Sequence, residues 1–172
     1  MADILSMIDR LIAEHKAISE KAKSMENIIN DTGLISEIGQ AADTVVPGKT
    51  DQVERLQFLE KSLQSIAAMV EKHFKYEETV LLKAMENYGD ADLVKSLNHL
   101  LAEHSDLRER LDRSKKRIAD LSVDNLHRAA FDITELETIT SLNYTRSVFQ
   151  KHATRENKLF SQIRRKIMLV QA

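Results

Sequence analysis

Cysteine and tryptophan are absent from the 172 residues, and there is one proline and four glycines. Without cysteine there is no disulfide framework, zinc finger, cysteine-ligated iron-sulfur cluster or thiol nucleophile, so a bound metal must rest on nitrogen and oxygen donors. No stretch approaches the roughly 18 uncharged residues of a membrane span. The opening MADILSMIDRLIAEHK carries Asp3 and Asp9 where an export signal needs a basic start and an apolar run. One soluble domain over residues 1–172, cytoplasmic and without a membrane partner, is the expectation. No charge of one sign dominates: 25 basic and 27 acidic residues leave a net charge of -2 and no global field for a nucleic acid. The basic run from Arg108 to Arg117 is interleaved with Glu109 and Asp112 and reads as a solvated helix face. No Ser-His-Asp arrangement and no Gly-rich phosphate loop is present.

The scarcity of proline and aromatics, with apolar residues spaced by three and four, predicts an all-α fold. Breaks at Asp31-Thr32-Gly33, Pro47-Gly48 and Gly89-Asp90, with a softer turn at Leu121 to Asn125, divide the chain. They place helices at 3–29, 51–87, 91–120 and 131–169, a connector helix at 34–44 and an undecided segment at 124–130. The first stripe runs Ile4, Ile8, Leu11, His15, Ile18, Ala22, Met25, Ile29. The second runs Leu56, Leu59, Leu63, Ile66, Val70, His73, Glu77, Leu81, Ala84. The third is Leu97, Leu100, His104, Leu107, Leu111, Ser114, Ile118, and the fourth Leu142, Val148, His152, Glu156, Leu159, Ile163, Ile167, Val170. Four inward stripes joined by short connections make an antiparallel, up-down four-helix bundle.

Four histidines and two glutamates interrupt these stripes, and a glutamate is almost never buried without a partner. At 1.5 Å per residue, all six fall roughly 17 to 27 Å from the same end of an antiparallel bundle. The layout occurs twice: His15 followed by His73-x-x-x-Glu77, then His104 followed by His152-x-x-x-Glu156. Four imidazoles and two carboxylates are too many for one tetrahedral zinc and suit two ions, of Fe, Mn, Co, Ni or Zn rather than Mg or Ca. The simplest assembly gives each ion two histidines and lets Glu77 and Glu156 bridge both, with an oxo or hydroxo bridge and one position on each ion left for O₂, peroxide, NO or water.

The segments EHKAI at the first histidine, HFKYEETVLL at the second, LLAEHSDLRERL at the third and HATRENKLF at the fourth resemble the HHE cation-binding domains of the hemerythrin-like family. That resemblance covers the whole chain and implies a non-haem di-iron centre held by His15, His73, Glu77, His104, His152 and Glu156, with Mn or Zn as alternative metals. Oxygen-carrying hemerythrins add a histidine through H-x-x-x-H on the third helix and use an Asp on the fourth. Here Leu100 and Arg108 flank His104, and His99 lies about 140° around the helix, off the stripe. The four-His, two-Glu set is instead similar to the di-iron domain of iron-sulfur cluster repair proteins. Ferritin-like sites use Glu-x-x-His, and no histidine here has a glutamate three residues before it.

The resemblance implies binding of, or reaction with, O₂, NO or peroxide in sensing or stress protection. The alternatives are iron storage or donation, including repair of damaged iron-sulfur clusters, and a purely structural bundle; the chain is not assigned as an enzyme or a non-enzyme. Tyr76, Glu78 and Tyr144 are expected at the surface or rim, and Glu14 and Glu103 in interhelix salt bridges. The other N–H of each ligand ring is expected to meet a carboxylate, a backbone carbonyl or water. Met7, Met25, Met69 and Met85 read as gap fillers and His127 as a surface residue. Ile35, Ile38, Val45 and Val46 of the first connection could cover a bundle end or form a homodimer surface.

Overall fold

The computed structural model describes residues 2–31, 49–121 and 128–171, with side chains from 3 to 25, 57 to 120 and 137 to 169. The predicted connector helix at 34–44, Ile35, Ile38, Val45 and Val46 of the first connection, and His127 lie outside the described residues. The first helix, α1, covers Ala2–Asp31; α2 covers Lys49–Tyr76 and runs through a π-helical turn, Glu77–Leu81, into α3, Leu82–Tyr88. Next come α4, Ala91–Leu101, α5, His104–Leu121, and the long α6, Arg128–Gln171. The described residues contain no strand. The predicted helix over 91–120 is thus two, and the fourth starts at Arg128 rather than 131.

These helices form four rods: α1, α2 with α3, α4 with α5, and α6. Their packing is cyclic, α1 on α2, α2 on α5, α5 on α6 and α6 back on α1. Two apolar clusters fill the interior. The lower unites Ile4, Ile8 and Leu11 with Leu81 and Met85, Leu93 to Leu100, and Leu159 to Ile167. The upper unites Ile18, Ala22 and Met25 with Leu59 to Phe74, Leu107 to Ile118, and Ile139 to Ala153. Sequence order within the clusters reverses from rod to rod, which makes the bundle antiparallel and up-down.

Every residue of the first stripe whose side chain is described is buried, and so is the whole third stripe, with Leu93 added. The second slips by one residue at its end: Ala84 is half-buried and Met85 is fully buried. The cause is the π turn, where the Leu82 N–H bonds the Glu77 carbonyl instead of that of Glu78. His73, Glu77, Leu81 and Met85 advance in fours, and each such step on a straight α-helix drifts about 40° from the inward direction. The wider turn absorbs that drift and keeps all four inside. On α6, Val148 is half-buried and Phe149 takes the inward place. Met25 and Met85 are buried, and Met7 and Met69 pack partly against the clusters.

The α3–α4 reversal rests on two residues. Gly89 has φ of 84°, a left-handed conformation that closes α3, with its N–H shared between the Met85 and Glu86 carbonyls at 3.2 Å. Asp90 then caps α4 by accepting from the Leu93 N–H at 3.0 Å and is held by Lys166 at 2.6 Å. Among the described residues, no helix is long and apolar enough to cross a membrane.

Candidate metal centre

Between the two apolar clusters lies one polar layer. His15, His73, Glu77, His104, His152 and Glu156 are all buried there, at 5% exposure or less. They form two overlapping groups, His15, His73, Glu77 and Glu156, and Glu77, His104, His152 and Glu156, with one donor atom from each member within 4.8 Å of the others. The carboxylates belong to both groups because each turns one oxygen to each side. Glu156 Oε2 lies 2.8 Å from His15 Nε2 and 3.9 Å from His73 Nε2; its Oε1 lies 2.8 Å from His152 Nε2 and 3.7 Å from His104 Nε2. Glu77 Oε1 is 3.5 Å from His73 Nε2, and its Oε2 is 3.3 Å from His104 Nε2.

The outward ring nitrogens are engaged across helices. His73 Nδ1 lies 3.1 Å from Glu14, His152 Nδ1 2.9 Å from Glu103, His104 Nδ1 2.8 Å from Glu78 and His15 Nδ1 3.3 Å from Asn157 Oδ1. An ionised carboxylate only accepts, as does the amide oxygen that Asn157 turns to His15, so these contacts put a proton on Nδ1 and aim Nε2 inward. The interior is therefore lined by four imidazole Nε2 atoms and four carboxylate oxygens, and none of these eight atoms has a hydrogen-bond partner outside the set. Buried acceptors that face only one another repel and are costly unless protons or cations lie among them. That donor set fits borderline transition-metal cations, as two overlapping sites of four residues.

The electrostatics follow from burial and proximity. Burial pushes Glu77 up to about 8, with His104 pulling it down and Glu156 pushing it further up. Burial works the same way on Glu156, but the imidazoles of His104, His15, His152 and His73 outweigh it and hold this carboxyl well below its ordinary value. His104 and His152 are raised: burial opposes their charge, and the carboxylates around them overcome it. The outer carboxylates are anchored by arginines, Glu14 by Arg10 at 2.9 Å, Glu78 by Arg108 at 2.8 and 3.1 Å, and Glu103 by Arg155 at 2.5 and 2.6 Å. Glu14 and Glu78 are held below their ordinary value despite partial burial, by these arginines and the histidines they touch.

Several positions were not legible beforehand. Glu78 is at the rim, its side chain one-third exposed, and from there it also bonds His104. Of Glu14 and Glu103, expected in interhelix salt bridges, Glu103 pairs with Arg155 on another helix whereas Glu14 pairs with Arg10 on its own, and each also reaches a histidine on the adjacent rod. Three phenylalanines wall the layer: Phe74 stacks on His104 at 3.7 Å between ring centres, Phe160 lies parallel to His15 at 6.2 Å, and Phe149 meets His15 edge-on at 6.3 Å. Their sequence signal is adjacency to the motif, one residue after His73, three before His152 and four after Glu156. His99 is exposed and takes no part. Tyr144 is 57% exposed under Arg110, and the half-buried Tyr76 ring is covered by Arg10 at 3.9 Å. The basic run of α5 is largely paired, Arg108 with Glu71 and Glu78, Arg110 with Asp106, Arg113 with Glu109 and Lys115 with Asp112.

The family described as the hemerythrin HHE cation binding domain matches residues 33–164. Five of the six inward residues fall within that span, and α1 supplies the sixth, His15, from ahead of it. No curated protein and no solved structure gives a comparable match.

Proposed function

The chain belongs to the hemerythrin HHE cation-binding family, and from that premise we propose that it holds two iron ions in this layer and there binds or reacts with O₂, NO or peroxide, in sensing or stress protection. The observation that carries the reading is the eight-atom inward lining without hydrogen-bond partners outside the set. His15 and His73 would hold one ion and His104 and His152 the other, while Glu77 and Glu156 would each give one oxygen to both. When bound, iron would supply reversible one-electron chemistry and positions open to a small ligand.

The remaining work is done by the chain. Glu14, Glu78, Glu103 and Asn157 fix the tautomer and orientation of the four rings, so the Nε2 atoms converge before a cation arrives. Phe74, Phe149 and Phe160 put apolar carbon around the layer. A metabolite would need polar groups to orient it, and these walls offer none, which favours a diatomic or peroxide ligand. A cytoplasmic address belongs to the same reading.

The test is metal content and optical spectroscopy of protein purified without added metal. About two irons per chain are expected from two sites that share their carboxylates. Oxo-to-iron charge-transfer bands and an anaerobic, reduced form that responds to O₂ or NO should accompany them. One ion per chain, or none after anaerobic reconstitution with ferrous iron, would overturn the proposal. Prompt transfer of the iron to an acceptor protein or chelator, without response to either gas, would replace it with iron donation.

A further inference from the structure

The layer is built twice, and the two copies can be compared residue by residue. The residue before each single histidine bonds the histidine of the neighbouring His-x-x-x-Glu: Glu14 meets His73 at 3.1 Å and Glu103 meets His152 at 2.9 Å. The residue after each inner glutamate bonds the single histidine of the other hairpin: Glu78 meets His104 at 2.8 Å and Asn157 meets His15 at 3.3 Å. Among these four outer partners the repeat is thus broken at one place, where an amide stands for a carboxylate. The break extends outward, since Arg108, four residues after His104, grips Glu78 at 2.8 and 3.1 Å, whereas Ser19 stands four residues after His15. Both halves share Glu77 and Glu156, whereas their phenylalanines differ, Phe74 stacking on His104 at 3.7 Å and Phe160 lying parallel to His15 at 6.2 Å.

A carboxylate that accepts the outer N–H raises the basicity of the opposite ring nitrogen more than a neutral amide does. In one half both imidazoles are supported in this way; in the other only His73 is. We propose that Asn157 makes the two metal positions unequal, so that the ion on His104 and His152 is the tightly held one and the ion on His15 and His73 is the exchangeable one. This rests on the two-ion reading above. Asn157 and Glu78 act through the rings they touch, as positioning residues. Loss of such an outer partner typically costs 10- to 100-fold in metal affinity, which sets the expected preference at about tenfold or more.

The experiment is anomalous-difference crystallography of the metal-free full chain given about half an equivalent of Co²⁺, because the occupancy ratio reads the relative affinity of the two halves directly. In the parent protein the His104/His152 half should hold at least about ten times the cobalt of the other. Asn157→Asp, which is isosteric and adds the missing carboxylate, should bring the ratio to within about threefold by strengthening the weak half. Glu78→Gln should reach a similar ratio from the opposite direction, with total affinity lowered rather than raised. It also keeps the test decisive should the aspartate variant fold poorly by far-UV circular dichroism. Equal occupancy or a reversed preference in the parent, or an unchanged ratio in the folded variants, would overturn the assignment to Asn157. Cobalt in neither half would instead overturn the metal-site reading beneath it.

Discussion

Replacing Glu156 with Gln is the most informative single perturbation, because one side chain touches both halves of the layer. The change is nearly isosteric, so packing against the neighbouring apolar clusters is kept, and what is lost is one negative charge and one acceptor oxygen. Those oxygens lie 2.8 Å from His15 Nε2 on one side and 2.8 Å from His152 Nε2 on the other. Residues that only support a ligand ring cost 10- to 100-fold in affinity when removed; a carboxylate that itself holds the cation should cost at least the upper figure, about 100-fold or ~2.7 kcal/mol per ion. Since both ions would lose it, the total is about 5 kcal/mol, against a loss confined to one half for His73→Ala. Competition with a chromophoric chelator gives the affinities, and elemental analysis gives the stoichiometry. Helicity must be unchanged for the comparison to count. A Glu156→Gln protein that binds two ions within about threefold of the parent affinity, or that loses one ion and keeps the other intact, would refute the shared-carboxylate argument.

Other outcomes follow from the same geometry. Metal uptake should release protons at neutral pH, because Glu77, pushed up to about 8 by burial, holds one in the metal-free protein and His104 and His152 are also raised. Protons and cations compete for the same lone pairs, so apparent affinity should fall as pH falls; calorimetry in buffers of different ionisation enthalpy would expose an error by finding no net release. Phe74→Ala removes a fully buried ring stacked on His104 and should destabilise the fold by about 3–5 kcal/mol in urea denaturation, with a shift under 1 kcal/mol contradicting the packing account. Gly89→Ala meets no steric neighbour but must adopt φ of 84°, and a cost of about 1–2 kcal/mol is expected from backbone conformation alone, checked by the same denaturation curves. His99→Ala should leave metal stoichiometry unchanged by elemental analysis, since that residue is exposed on α4.

Periodicity alone determined a great deal of this protein. An α-helix has a fixed rise and twist, so spacing in threes and fours placed His15 and His104 on inward faces and identified four rods. Counting rise per residue from the breaks put six polar residues at one depth, and that layer does fall between two apolar clusters. Helical arithmetic fails where the helix departs from it: the π turn at Glu77–Leu81 exchanged Ala84 for Met85 inside, and the interruption before His104 divided a helix that reads as continuous. Relations between helices lay beyond it altogether. Glu14 and Glu103 diverge by about 100° from the histidines beside them in sequence, and that divergence carries each to a histidine on the adjacent rod. Which ring each one meets depends on rod order and rotation, which only tertiary packing sets. The same holds for Glu78 and Asn157, one step past matching glutamates. The sequence displays the difference between them, but their contacts with His104 and His15 arise only when two hairpins pack face to face.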